Sequence, residues 1–383
     1  VWRDRVFVTS DDGYLYSLAT ADGRLLKRWR GGPTDQRVMG NGHVISRWPA
    51  RGGVVISGDI VYWAAGIWQS EGIFIRAQQA ETGKLVWLND SSGGIEMAQP
   101  HGGAMAKSGV TAQGHLVITG DRLLVPTGRA VPAVFDRKTG KFLFYRLQQN
   151  THRGATATMG HGRIFVNGGL AYDLQSGGLL KGLGAGSVAS AGKTLWRGTS
   201  NTLENWELVE RAGKDRKGKP VKILELKRKT SIAKVPGGQG MLVAGTTVVS
   251  AGAKSVAVID ATSGKLTWQH DLDGTPGDLA VSDGRLFVVT DSGRLYCFAE
   301  GPVAKPVHHS PSKPDIPGDD PAIVAAGKKI LETSRIREGY CVDLGCGDGR
   351  LASWLARHSD LFVFAIDPDP ARVARARQRL AAA

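Results

Sequence analysis

Apolar and polar residues alternate regularly over the first three hundred positions. Val6-Phe-Val-Thr-Ser-Asp-Asp-Gly-Tyr-Leu-Tyr-Ser-Leu-Ala19 reads as an apolar strand, a polar turn and a second alternating strand, which predicts a β-hairpin. Leu286-Phe-Val-Val-Thr-Asp-Ser-Gly-Arg-Leu-Tyr-Cys-Phe-Ala299 repeats it, with seven of fourteen positions identical. Related units fill the interval. Val54–Trp63 and Gly72–Ala80 lead into Glu81-Thr-Gly-Lys-Leu-Val-Trp87. Lys138-Thr-Gly-Lys-Phe-Leu-Phe144 and Thr262-Ser-Gly-Lys-Leu-Thr-Trp268 close two more units, and Gln175-Ser-Gly-Gly-Leu-Leu180 closes a weaker one. Lys193–Gly198, Asn205–Glu210 and Val221–Leu226 predict three strands of a further unit with a long, basic last turn. About seven units of about 43 residues result, a period that suits four-stranded propeller blades. A blade cannot bury both faces alone, so radial stacking would form the core. The Trp or Phe four residues after each turn glycine then falls on an outer strand, where packing between blades is its expected role.

The pattern changes after position 301. Gly301–Pro321 is rich in proline and lacks periodicity, which predicts an extended linker over 302–321. Its His308–His309 pair has no spaced Cys or acidic partner and is not read as a metal site. From 322 onward the period is helical: Ile323, Ala326, Ile330 and Leu331 share a face, with Gly339 closing the segment. A strand Tyr340–Leu344, a glycine loop, a helix lined by Leu351, Trp354 and Leu355, a strand Leu361–Ile366 and a helix Ala371–Leu380 follow. The last helix would turn Val373, Ala376 and Leu380 inward. Strand, glycine loop, helix, strand, helix begins a parallel α/β sheet.

Composition narrows these readings. The 52 glycines in 383 residues fit many tight turns and exclude a helix bundle. No uncharged apolar run approaches the roughly 18 residues of a membrane helix. Cys297, Cys341 and Cys346 form neither a disulfide framework nor a metal-site spacing. The net charge is +14, and ten basic residues lie between Arg211 and Lys234 against Asp215 and Glu225. Such a run attracts phosphate, but it has no interleaved aromatic for base stacking. A solvated loop between blade strands is the preferred reading, and nucleic acid is disfavoured as a partner.

The repeat units resemble the pyrroloquinoline-quinone-type propeller repeat, Ala-x-Asp-x-x-Thr-Gly-x-x-x-Trp. Ala257–Trp268 matches it apart from one extra residue before the glycine, and Ala77–Trp87 has Gln79 in the aspartate place. The resemblance implies an all-β propeller over 1–301, short of its N-terminal strands, with an eighth blade left open for a longer protein. It does not extend to quinone chemistry, because the family's dehydrogenases carry adjacent cysteines and a calcium site. No quinone cofactor is expected, and a binding scaffold, with a protein partner on the propeller face, is.

The glycine loop carries the chemistry. A dinucleotide fingerprint fails, since Arg350 stands at the third glycine position. Asp343, two residues before Gly345, would repel a pyrophosphate and suits a ligand bearing an amine. Asp367 ends the next strand, where a carboxylate can accept two ribose hydroxyls. Val342-Asp-Leu-Gly-Cys-Gly-Asp-Gly349 resembles the first motif of class I S-adenosylmethionine-dependent methyltransferases, and Asp367 their second. The resemblance implies a Rossmann-like fold over 322–383, incomplete because the family has about seven strands. It implies that Gly345, Gly347 and Gly349 admit the cofactor backbone-close, that Asp343 holds its methionine end, that Asp367 binds the ribose, and that Pro368 and Asp369 lie near the adenine. Cys346, inside the loop, reads as a small filler. Catalytic residues and the methyl acceptor are not named by the sequence.

Two functions follow as expectations: a methyltransferase whose propeller positions substrate, with this chain a fragment inactive by itself, or a non-catalytic scaffold with a degenerate cofactor site. A cytoplasmic location is slightly favoured, with export after loss of a signal peptide as the alternative.

Overall fold

The computed structural model describes residues 1–40, 42–100, 102–128, 130–147, 154–214, 218–301 and 320–381. The predicted linker up to position 319, including His308 and His309, lies outside them. Two compact units emerge: Val1–Gln36 with Ser46–Gly301, and the segment Arg37–Ile45 with the C-terminal residues.

The first unit is a seven-bladed β-propeller built of consecutive antiparallel sheets. Five blades have four strands. The third is typical: Val117–Thr119, Arg122–Val125, Val131–Asp136 and Phe142–Arg146. The first blade, Arg5–Thr9, Tyr14–Ala19 and Leu25–Arg30, and the seventh, Pro276–Ser282, Arg285–Thr290 and Leu295–Phe298, have three strands each. The matching hairpins Val6–Ala19 and Leu286–Ala299 are the first two strands of the first blade and the last two of the seventh. Six apolar clusters join the blades in order, for example Leu124, Val134, Phe165 and Tyr172 between the third and fourth. Among the described residues no such cluster joins the seventh blade to the first.

The repeat motif has a local cause. Asp136 Oδ1 accepts hydrogen bonds from the Lys138 and Thr139 amides and the Thr139 hydroxyl, and Gly140 then takes φ +70°. Asp173 with Ser176, and Asp260 with Ser263, build the same turn. The aspartate-to-glycine spacing is therefore constant. In the sixth blade Ser263 fills the threonine place, and the extra residue lies before Asp260 rather than before Gly264. In the second blade the Gln79 side chain accepts from the Thr82 hydroxyl at 2.8 Å, standing in for aspartate.

Trp29, Trp87 and Phe144 each seat on the turn glycine of the next blade, whereas Trp268 of the sixth blade is exposed and meets the Phe298 ring instead. A Cβ on Gly83 would lie 1.8 Å from Trp29, one on Gly140 2.4 Å from Trp87, and one on Gly177 2.6 Å from Phe144.

The basic run Arg211–Lys234 is not a loop. It occupies most of two long paired strands of the fifth blade, Thr202–Lys214 and Pro220–Ala233. Pairing also supplies acids that a linear count omits. Lys222 meets Glu210 at 3.1 Å, Arg228 meets Glu204 at 2.9 Å and Lys229 meets Glu207 at 2.9 Å.

In the second unit, strands Glu338–Leu344 and Asp360–Ile366 pair in parallel, with three helices: α1 (Pro321–Ser334), α2 (Arg350–His358) and α3 (Pro370–Ala381). Asp320 caps α1 by accepting from the Ala322 amide at 2.9 Å, and Pro321 sits in the first turn, so the helix takes the last residue assigned to the linker. It ends at Arg335 in the left-handed conformation rather than at Gly339, which lies in the strand. Leu331 and Leu355 are buried around Trp354, whereas Ile330 is exposed. Its place on the inner face goes to Gly327, where a Cβ would lie 2.0 Å from the Trp354 ring. In α3, Ala376 is buried and Leu380 is exposed. The opposite sheet face leaves Tyr340, Val342, Leu344 and Phe362 exposed.

Candidate functional site

The segment between Leu344 and α2 is shaped by three glycines in the left-handed half of backbone space, with φ +83°, +59° and +78° at Gly345, Gly347 and Gly349. A side chain would be strained at each position. Nothing lies within 4 Å of a Cβ built on Gly345 or Gly347, so the loop faces open space there, while Gly349 packs against Ala376.

The second strand holds this loop. The Gly345 and Cys346 amides both donate to the Ile366 carbonyl, at 2.7 and 3.1 Å. The Gly347 amide donates to Asp367 Oδ2 at 3.0 Å. Three successive donors are thereby consumed inside the protein. A phosphate-binding loop needs such donors aimed at its ligand, so this one is not built as a phosphate cradle.

Asp343 has the opposite status. Its Oδ2 atom is buried without a hydrogen-bond partner, and burial raises its carboxyl above the ordinary aspartate value. An ionised, unpaired carboxylate in that position is costly until a donor reaches it. An ammonium group beside the loop supplies one. On this observation the residues fit the amine-bearing end of an aminoacyl ligand such as S-adenosylmethionine.

Asp367 has partners inside the protein. Its side chain has no exposure, Oδ1 accepts from the Asp369 amide at 2.9 Å, and Arg372 Nη1 lies 3.8 Å from Oδ2. Those two amides and Arg372 hold the carboxyl below its ordinary value. In this structure it braces the loop. Arg372 also approaches Asp369 at 3.6 Å, which makes it a latch over both carboxylates. Sequence reasoning missed Arg372; its only signal was an arginine on the first turn of a helix that follows two aspartates. Pro368 is exposed at the entry to α3.

Cys346 is partly buried, and both burial and the charges of Asp343 and Asp367 raise its thiol. A raised thiol has less thiolate character and is a weaker nucleophile. Among the described residues, no cluster of His, Cys, Asp and Glu is arranged to hold a metal ion. No helix there is long and apolar enough to cross a membrane.

Comparison with known proteins identifies the larger part. The family described as outer membrane protein assembly factor BamB matches residues 11–222 and 185–302. The chain belongs to that family. A methyltransferase-domain family matches residues 341–383, a short stretch that contains the glycine loop and Asp367. None of the curated proteins compared matches the chain. Solved structures similar to this BamB-family chain include BamB from Moraxella catarrhalis, at 12% identity and TM-score 0.45 over 77% of this chain and 81% of that one. The computationally designed Ika8 protein gives 16% and 0.41, covering 77% and 93%, and a europium-containing methanol dehydrogenase 14% and 0.44, covering 77% and 71%. Likenesses this distant carry no argument about function.

Proposed function

We propose that the chain carries the cofactor-holding part of an S-adenosylmethionine-dependent methyltransferase, fused to a propeller that serves as a substrate- or partner-binding scaffold. The short methyltransferase-domain match supports this reading. The observation that carries it is the unpartnered Asp343 Oδ2 atom beside a loop whose glycines open onto free space.

Bound S-adenosylmethionine supplies an electrophilic methyl group on a sulfonium centre. Asp343 binds and orients the ammonium of its methionine end. Gly345 and Gly347 keep the near side of the site free of side chains. Asp367 holds the Gly347 amide and the loop's shape, and it accepts from the ribose only after Arg372 moves aside. Orientation of this kind is the main contribution a binding site makes to a displacement between two bound partners.

The closed state of Asp367 favours a second reading, a propeller scaffold with a cofactor remnant. Calorimetric titration with S-adenosylhomocysteine separates the two. The methyltransferase reading expects saturable binding that Asp343→Asn weakens by about tenfold or more. No heat of binding in a folded protein would leave the scaffold reading.

A further inference from the structure

We propose that the propeller has a saccharide-binding site between its second and third blades, suited to a short oligosaccharide carrying a carboxylate. A cavity of about 610 Å³ opens there, lined among others by Trp68, Gln69, Lys107, Thr111 and Gln113. Trp68 and Gln69 come from the loop between strands Ile60–Ala65 and Phe74–Gln79 of the second blade, and Lys107, Thr111 and Gln113 from an excursion between strands Leu85–Asn89 and Val117–Thr119. The excursion holds a 3₁₀ turn, Ser92–Gly94, and the hairpin of Glu96–Ala98 with Met105–Lys107.

The walls are fixed by their own hydrogen bonds. Gln69 Nε2 donates to the Gly109 carbonyl at 2.5 Å. Gln99 Nε2 donates to the Met97 carbonyl at 3.0 Å and to Ser108 Oγ at 2.9 Å. The groups that remain are uncommitted: among the described residues the side chains of Lys107, Thr111 and Gln113 have no hydrogen-bond or ion-pair partner. Trp68 is 39% exposed, and among the described residues its indole has no ring partner.

These groups select a ligand class. An uncovered indole face stacks on the C–H face of a sugar ring, and an amide offers both a donor and an acceptor to vicinal hydroxyls. Among the described lining residues Lys107 is the only charged one, and although Glu96 stands opposite it in the hairpin register the two form no ion pair, so Lys107 suits one anionic substituent. The same set argues against other ligands. Among the described lining residues a metal would find no carboxylate or imidazole ligand, a quaternary ammonium would meet Lys107, and a polyphosphate would meet a single cation.

The test is an array of neutral and uronate-bearing oligosaccharides probed with the whole chain, followed by fluorescence titration with trigalacturonate. Trp68→Ala and Lys107→Gln are compared after circular dichroism shows both folded. The expected result is retention of uronate-bearing sugars and loss of about tenfold or more in affinity in Trp68→Ala. Lys107→Gln should erase the preference for uronate over the neutral counterpart. Wild-type protein that retains no saccharide, or variants that titrate like the wild type, would overturn the proposal.

Discussion

The indole of Trp87 lies on Gly140, the turn glycine of the next blade, and its Nε1 donates to the Arg137 carbonyl at 2.9 Å in the same turn. Trp29 on Gly83 and Phe144 on Gly177 repeat the relationship. An outer-strand aromatic of one blade thus fixes the turn of its neighbour, which explains why turn glycine and aromatic recur together in the repeat.

Gly140→Ala should therefore be destabilising twice over, through its φ of +70° and through the approach to Trp87. Trp87→Ala should cost about 3–5 kcal/mol as a buried aromatic truncation. In the double variant the two costs should be less than additive, because the alanine no longer meets the ring. Chemical denaturation of the four proteins checks this; strict additivity would count against the contact.

The turns should also set acid stability. Hydrogen bonds from the Thr139 hydroxyl and amide hold the Asp136 carboxyl below its ordinary value. Its contribution is full above the unfolded-state value and is lost as pH falls through the folded-state value. Thr139→Ala removes the largest cause, so acid unfolding should begin at a higher pH than in the wild type. Circular dichroism during an acid titration measures it, and an unchanged profile would contradict the assignment.

Asp343 has the opposite linkage. Burial raises its carboxyl, so the folded state holds that proton more tightly, and stability falls as pH rises from the ordinary aspartate value through the raised one. Asp343→Asn should raise the melting temperature at neutral pH, with the gain disappearing in acid. A site kept at the expense of stability behaves this way. A variant less stable than the wild type at neutral pH would instead make Asp343 structural.

How much of this was legible in sequence depended on the range of the forces involved. Turns and hairpins are local, so the repeat, the blade number and the strand–loop–helix order of the C-terminal part could be read directly. The loop motif was legible because Gly345, Gly347 and Gly349 are needed for backbone angles that L side chains resist. What failed was set across strands or helices. The acids that neutralise the basic run lie on the paired strand, Ile330 lost its inner place to Gly327 under Trp354, and Arg372 closes over Asp367 from the next helix. None of these pairings leaves a periodic signal.

The blades at the two ends of the series should be the least protected. Six clusters join seven blades, so each terminal blade is joined on one side only, and both carry exposed apolar residues: Val8 and Leu25 on the first, Val289 and Leu295 on the seventh. Hydrogen exchange should be fastest in strands Arg5–Thr9 and Leu295–Phe298 and slowest in the third blade, around Leu124 and Phe135. Uniform protection across all seven blades would show that another contact seals the series.

The proposed role of the loop Gly345–Gly349, with Asp343 preceding it, is to receive S-adenosylmethionine. Ultraviolet cross-linking of methyl-labelled S-adenosylmethionine to the whole chain, followed by peptide mapping, tests it most directly. Label should appear in the peptides spanning 338–350 and 360–372, fall sharply in Asp343→Asn, and be displaced by S-adenosylhomocysteine. Label confined to the propeller, or none that S-adenosylhomocysteine displaces, would contradict it.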